Sequence, residues 1–412
     1  MKNLFKTLGP GLLWAGAAIG VSHLVQSTRA GANYGFYFII FLLLANFLKY
    51  PSFEFGTRYA TATGKSLIYG YSQLRKWVIV VYWLLTISTM FAIQAAVTIV
   101  TAGLVGNIFH LQISINTISA IILLTTLVVL VLGKYTVLDK LIKFIIIILS
   151  LTTIFAVIKS MSLGYHPNPD FLNDFDFGNP IDIAFLIAFV GWMPAPLDIS
   201  IWSSLWSVAK QKNIGYKPKL KESLLDFNIG YIGTVIFALG FLSLGALVMY
   251  GTGKSFSPKG VVFAGQLIDM FTQNIGQWSF WIISIAALTT MFSTTTTCLD
   301  AYSRVLDSTT GLIFSGKNTK DKSVSFFWMS VIIAGSLVLL FFFSKNMRFM
   351  VDVATTISFV TAPFFAILNY FAVTHKHVPV EFRPKPWLRI YAWIGIVMLS
   401  AFSIFYIIWR FF

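Results

Sequence analysis

Phe189-Val190-Gly191-Trp192-Met193-Pro194-Ala195-Pro196-Leu197-Asp198 interrupts an apolar stretch otherwise long enough to be a membrane helix. Gly191, Pro194 and Pro196 stand near its middle. Proline lacks a backbone donor and its ring clashes with the preceding turn, so the stretch cannot run as one regular helix. Unwound backbone at that depth in a bilayer is tolerated only where it is buried in protein or lines a cavity. A comparable interruption lies near the N-terminus. Leu8 to His23 reads LGPGLLWAGAAIGVSH, with the small residues Gly16, Gly20 and Ser22 at its centre.

The rest of the chain fits a membrane setting. Of 412 residues 57% are hydrophobic and 11% charged, and the mean hydropathy is +0.78. Soluble domains carry roughly 25% charged residues. Apolar runs of about 20 residues recur, the length a helix needs to cross a bilayer. An alternating pattern of short strands is missing, which argues against a β-barrel. The expectation is an all-α integral membrane protein of about eleven spans. The predicted spans are 9–30, 34–57, 78–105, 115–133, 139–158, 181–207, 226–250, 278–303, 325–344, 348–374 and 389–411.

Basic residues sort the loops. Lys2 and Lys6 precede the first span. Arg58, Lys65, Arg75 and Lys76 follow the second, and Lys134, Lys140 and Lys143 the fourth. Lys210, Lys212, Lys217, Lys219 and Lys221 follow the sixth, Arg304, Lys317, Lys320 and Lys322 the eighth, and Lys376, Arg383, Lys385 and Arg389 the tenth. The loop after the fifth carries Asp170, Asp174 and Asp176 instead. By the positive-inside rule the N-terminus is cytoplasmic and the C-terminus external, in a bacterial inner membrane. The net charge of +15 then faces anionic lipid rather than nucleic acid. The single Cys298 excludes a disulfide framework and a thiolate cluster. The start is too short for the charged head of a cleaved signal. No nucleophile, base and oxyanion site is assembled, so an enzyme is not expected, nor is a cofactor.

The two interruptions fall in the first and sixth spans. That spacing suits an inverted repeat of residues 1–158 (spans one to five) and 159–376 (six to ten), with 377–412 an added helix and no separate soluble domain. Paired interrupted helices in matching positions point to a transporter's midplane site.

At these residues the chain resembles the Nramp family of divalent metal transporters. The resemblance is carried by Leu8-Gly-Pro, Ala30-Gly-Ala-Asn-Tyr-Gly35, Leu43-Leu-Leu-Ala-Asn46, Thr63-Gly-Lys-Ser66, Met193-Pro194 and Pro363. It implies the LeuT-type inverted-repeat fold, discontinuous first and sixth helices, and proton-coupled metal uptake by alternating access. The resemblance also marks departures. The family's Asp-Pro-Gly-Asn falls on Gly20, Val21, Ser22 and His23. The histidine after Met-Pro falls on Ala195, and a second histidine on Ser200. A glutamine of the tenth helix falls on Thr355. The proton-conducting acids of the third helix have no counterpart in Thr89 to Gln94. A divalent ion in a low-dielectric site needs negative or strongly dipolar ligands, so selectivity is expected to be altered.

The candidate substrate site is Gly20, Ser22, His23, Gln94, Val190, Trp192, Met193, Ala195, Asp198 and Thr355. His23 is the leading candidate, since ionisable groups inside membranes are functional by default, and it could pair with Asp198. Asp198 suits equally the positive end of the half-helix after Pro196. His23 and Met193 are the candidate soft-metal ligands. Trp14, Trp192 and Met193 put polarisable groups near the breaks, which suits an organic cation or ordinary packing. Ser293, Thr294 and Thr297 are candidates for a coupling sodium ion, or bond their own helix. Glu54 and Arg58 read as an i,i+4 pair. Three functions stay open: a metal carrier with a rebuilt site, a proton- or sodium-coupled carrier of a small organic solute, and a membrane sensor.

Overall fold

The computed structural model describes residues 9–133, 135–162, 164, 167–316 and 322–411; at 135–147, 214, 315 and 411 it describes backbone alone. Lys2, Lys6, Leu8, Lys134, Lys317 and Lys320 lie outside the described residues, as do the side chains of Lys140 and Lys143. The described residues are helices and loops, with no strand among them.

The first predicted span is built in three pieces: α1 (Pro10–Ala18), a π-helical turn (Ser22–Ser27) and α2 (Thr28–Tyr34). Then follow α3 (Phe38–Thr63), a short α4 (Leu67–Leu74), α5 (Lys76–Ile108), α6 (Ile115–Val131) and α7 (Tyr135–Ser162). The sixth span is split into α8 (Pro180–Gly191) and α9 (Asp198–Ile214). The chain continues through α10 (Leu220–Val248), α11 (Gly260–Ile275), α12 (Phe280–Thr310), α13 (Lys322–Phe343), α14 (Met347–Thr374) and α15 (Pro386–Phe411). Among the described residues, seven helical stretches are long and apolar enough to cross a membrane, and α6, α8 and residues 148–162 of α7 are shorter apolar helices.

Two helices differ from the sequence expectation. α4 and α11 lie where loops were read, because each is short and buries one stripe instead of presenting a long apolar run. In α11 the stripe is Phe263, Leu267, Ile268 and Phe271, the spacing of a single helical face. The sixth segment also runs on to Ile214, seven residues past its expected end at 207.

Loop contacts identify the two ends of the bundle. At the basic end, Gln211 donates to the Ala60 carbonyl (3.4 Å), Arg58 to the Phe382 carbonyl (2.9 Å), and the Gly9 N–H to Asp226 (3.0 Å). At the opposite end, Tyr34 donates to Asp182 (2.6 Å) and Arg348 to the Phe256 carbonyl (3.0 Å). Both halves of the first span therefore pack along α10. Small residues make this possible. A Cβ on Gly11 would lie 2.0 Å from the Asp226 carbonyl oxygen, and one on Gly31 1.9 Å from that of Leu242. Close backbone approach through small residues is the usual way helices associate in lipid. Asp226 also accepts from the Gly11 N–H (2.7 Å), capping α1, so the Gly-Pro-Gly opening is explained by packing.

Candidate functional site

The first break sits between Ala18 and Val21. Ile19 leaves the helix with an extended ψ of 98°, which frees carbonyls that the next turn would have bonded. Thr294 of α12 donates its hydroxyl to the Ile19 carbonyl (3.2 Å). Gly20 lies against the same threonine: a Cβ there would come 2.7 Å from its Oγ1. The second break runs from Trp192 to Leu197 and contains a cis Met193–Pro194 peptide. The Trp192 indole N–H is anchored on Ser358 of α14 (2.7 Å). The last carbonyls of α8 face Lys49 of α3, whose Nζ donates to Val190 (2.5 Å) and Gly191 (2.9 Å), and the Val190 oxygen also accepts from the Met193 N–H (3.2 Å).

A cavity of about 20 Å³ lies between the breaks. Ala17, Ala18, Val21 and Ser22 wall it from the first break, and Trp192, Pro196 and Ile199 from the second. Thr294 and Cys298 of α12 and Ile93 and Val97 of α5 contribute to the rest. It has room for about one water molecule, and no carboxylate lines it.

His23 stands behind this wall. Its Nε2 faces the Thr234 carbonyl of α10 (3.0 Å) and its Nδ1 the Ser22 hydroxyl (2.7 Å). A carbonyl only accepts, so Nε2 carries the proton and Nδ1 accepts in the neutral ring. The Ser22 hydroxyl then has two acceptors in reach, Nδ1 and the Ala18 carbonyl (2.6 Å). Ser22 thus links the cavity wall to His23. Asp198 opens α9 and is buried, and its partner is the Tyr302 hydroxyl of α12 (3.0 Å). His23 and Asp198 take different partners and are not brought together.

The remaining candidates divide between wall and packing. Met193 packs with Tyr34, Phe38, Phe185 and Phe189. Trp14 is fully buried, with ring centroids 5.3 Å from Phe53 and 5.2 Å from Tyr231. Gln94 donates to the Thr295 carbonyl (3.2 Å), tying α5 to α12, and its Oε1 has no partner. Ala195 and Ser293 are buried. Thr294 also bonds its own helix at Thr290 (3.1 Å), as threonines in apolar helices do, and Thr297 is buried on the same helix. Thr355 donates to Val351 (2.9 Å), and its carbonyl oxygen would meet a Cβ on Gly191 at 2.0 Å. Glu54 and Arg58 form the expected i,i+4 ion pair (2.6 Å).

Charged and polar groups form networks on both sides of the breaks. Toward the end bearing Tyr34, Arg29 of α2 grips Asp352 of α14 (2.6 and 3.1 Å), and Gln26 donates to the same carboxylate (3.1 Å). Toward the basic end, Asp198–Tyr302 is followed by Tyr71 of α4, bonded to Asn369 of α14, which donates to Ser200 (2.8 Å) and the Ser52 carbonyl (2.9 Å). Lys49, Arg29 and Asp352 were missed as candidates although each lies inside a predicted span, the very signal that marks a functional charge in a membrane.

A sequence profile described as "Natural resistance-associated macrophage protein-like" matches residues 11–409. The chain belongs to the Nramp family. An uncharacterized Pasteurella multocida protein, PM0681, is 36% identical over 98% of this chain and 92% of its own length. Among solved structures, the Eremococcus coleocola manganese transporter, in complex with an aromatic bis-isothiourea compound, is similar with a TM-score of 0.71 at 13% identity, over 98% of this chain and 87% of that one. MhsT in complex with L-phenylalanine is similar with a TM-score of 0.65 at 13% identity, over 96% of this chain and 98% of that one. This Nramp-family chain is thus a multi-pass membrane protein with the LeuT-type fold, a secondary transporter that carries an ion or solute.

Proposed function

We propose that the substrate binds between the two breaks, at a site that widens beyond the one-water cavity of this state as the transporter opens, and that its selectivity has moved from the family's divalent metals toward a small solute of low charge. The observation that carries this reading is the cavity wall: apolar side chains, two hydroxyls and a buried thiol, with no carboxylate. Among the described residues no cluster of three or more His, Cys, Asp or Glu could hold a metal. A doubly charged ion there would pay desolvation without compensation. Access would alternate between the Arg29–Asp352 side and the Asp198–Tyr302 side. Residues 1–158 and 159–376 are read as the two repeats, and the basic end as cytoplasmic in a bacterial inner membrane.

Coupling to a proton is supported by the hydrogen-bonded path from Ser22 at the cavity wall to His23. Coupling to sodium would use the Ile19 carbonyl with Thr294, where a carbonyl of the first break meets α12. Replacing sodium by choline in an uptake assay, with and without a pH gradient, separates the two. The alternative substrate is a divalent metal, favoured by the family and by the Met193–Pro194 motif. A thermal-shift screen of purified protein against metals and metabolites decides between them. A neutral or singly charged metabolite should raise the melting temperature while manganese and cadmium do not. Saturable stabilisation by either metal, lost in His23→Ala, would restore the metal reading.

A further inference from the structure

Lys49 is the buried cation that the transport reading leaves without a task. It lies mid-way along α3 and is fully buried. Among the described residues no carboxylate pairs with it, whereas Arg29, Arg58 and Arg304 each hold one. Taking an ammonium out of water costs several kcal/mol unless partners compensate. Its partners are two carbonyl oxygens, those of Val190 and Gly191. These are the last residues of α8 before the break, where the helix dipole is negative. The C-terminal ends of half-helices are also where transporters of this architecture hold coupling cations.

Besides Lys49, the Val190 oxygen accepts the Met193 N–H (3.2 Å), and the neighbouring hydroxyls are engaged elsewhere. Tyr231 of α10 donates to Asn46 (2.6 Å) and Tyr391 of α15 to Phe47 (2.5 Å), both on the backbone of α3. At the other side of the same break Asp198 places a carboxylate in the first turn of α9, the positive end of that half-helix. The chain therefore supplies a charge of the right sign to each end of its own broken helix.

We propose that Lys49 is a tethered cation: from α3 its ammonium fills a site for a monovalent cation at the end of α8, so no diffusible ion is needed there. The inference rests on the transporter reading for its meaning, but its test does not. The full chain is purified in detergent as wild type, Lys49→Ala and Lys49→Gln, the last keeping a hydrogen-bond donor without the charge. Melting temperature is followed against methylammonium or sodium chloride, with choline chloride holding ionic strength constant. Wild type should not respond. Both variants should melt lower, Lys49→Ala by about 5 °C or more, a shift equivalent to a few kcal/mol in a chain of this size. Lys49→Ala should then regain at least half of the loss, saturably, with methylammonium or sodium.

A lysine that only seals the packing would leave Lys49→Ala equally unstable at every cation concentration, and that result overturns the proposal. Should Lys49→Ala fail to fold, the same titration of Lys49→Gln decides on the same criterion. Wild-type uptake is untouched by either outcome, so failure here and failure of the transporter reading are told apart.

Discussion

Arg29 and Asp352 meet through two parallel hydrogen bonds, 2.6 and 3.1 Å long, across the gap between α2 and α14. The guanidinium is 3% exposed and the carboxylate 34%. The pair is thus buried on the arginine side and partly open to water on the carboxylate side, and we propose that it acts as a latch. Gln26 completes it by receiving from Arg29 (2.9 Å) and donating to Asp352. Planar two-point recognition of this kind is specific to arginine.

Asp352→Asn should loosen the latch without removing bulk. The loss of charge-assisted hydrogen bonds is worth about 1–3 kcal/mol, discounted toward the lower figure by the exposure of Asp352. The single cysteine gives the readout, because Cys298 lines the cavity. Its reaction with a small thiol reagent at fixed pH should be several-fold faster in Asp352→Asn than in wild type. Equal rates would mean that the pair does not close the path.

Gly20→Ala should destabilise the protein, since its Cβ would lie 2.7 Å from Thr294 Oγ1 and 2.9 Å from Cγ2. Overpacking of this kind costs about 1–3 kcal/mol. Adding Thr294→Ala removes both clashing atoms, and the double variant should be more stable than the sum of the single effects by about 0.5–3 kcal/mol. Additive melting shifts would contradict the close approach of α12 to the first break.

Asp198→Asn keeps an acceptor for Tyr302 but removes the charge at the start of α9. Uptake of the solute identified by the thermal-shift screen should fall about tenfold or more in proteoliposomes, equivalent to about 1.4 kcal/mol of barrier, while the melting temperature changes little. Wild-type uptake rates would exclude Asp198 from the transport cycle.

Acidification should weaken a clasp at the basic end. Tyr59 of α3 is hydrogen-bonded to His377 Nε2 (2.8 Å), and His377 Nδ1 faces His375. Burial, then the neighbouring His375, Lys65 and Arg383, hold the His377 pKa below its ordinary 6.5. The folded chain therefore binds this proton less readily than the unfolded one. The stability present above pH 6.5 is lost as pH falls below that value toward the depressed pKa. His377→Gln should flatten the dependence of melting temperature on pH between about 7.5 and 5.5. A profile as steep as wild type would place the acid sensitivity elsewhere.

Much of the architecture was legible in the residues. The length of the apolar runs requires helices, because lipid offers no partner to an unpaired backbone group, and prolines 194 and 196 require the second break, because a missing donor is a local property. Glu54 and Arg58 were legible as a pair because i,i+4 spacing alone places them on one helical face. The amphipathic α4 and α11 were not, since a short buried stripe lacks the long apolar run by which spans are recognised.

The site was harder to read, for a physical reason. Sequence could place His23 and Met193 beside the breaks but not aim their side chains, and Met193 packs among aromatic rings while His23 turns toward α10. Which charges meet depends on helices far apart in the chain: Arg29 with Asp352, Lys49 with the end of α8, Asp198 with Tyr302. Composition, breaks and helix content were determined by the sequence itself, through backbone hydrogen bonding and the thickness of a bilayer. The content of the break was decided only by the tertiary structure, because the partners that neutralise its half-helix ends come from packing across the bundle.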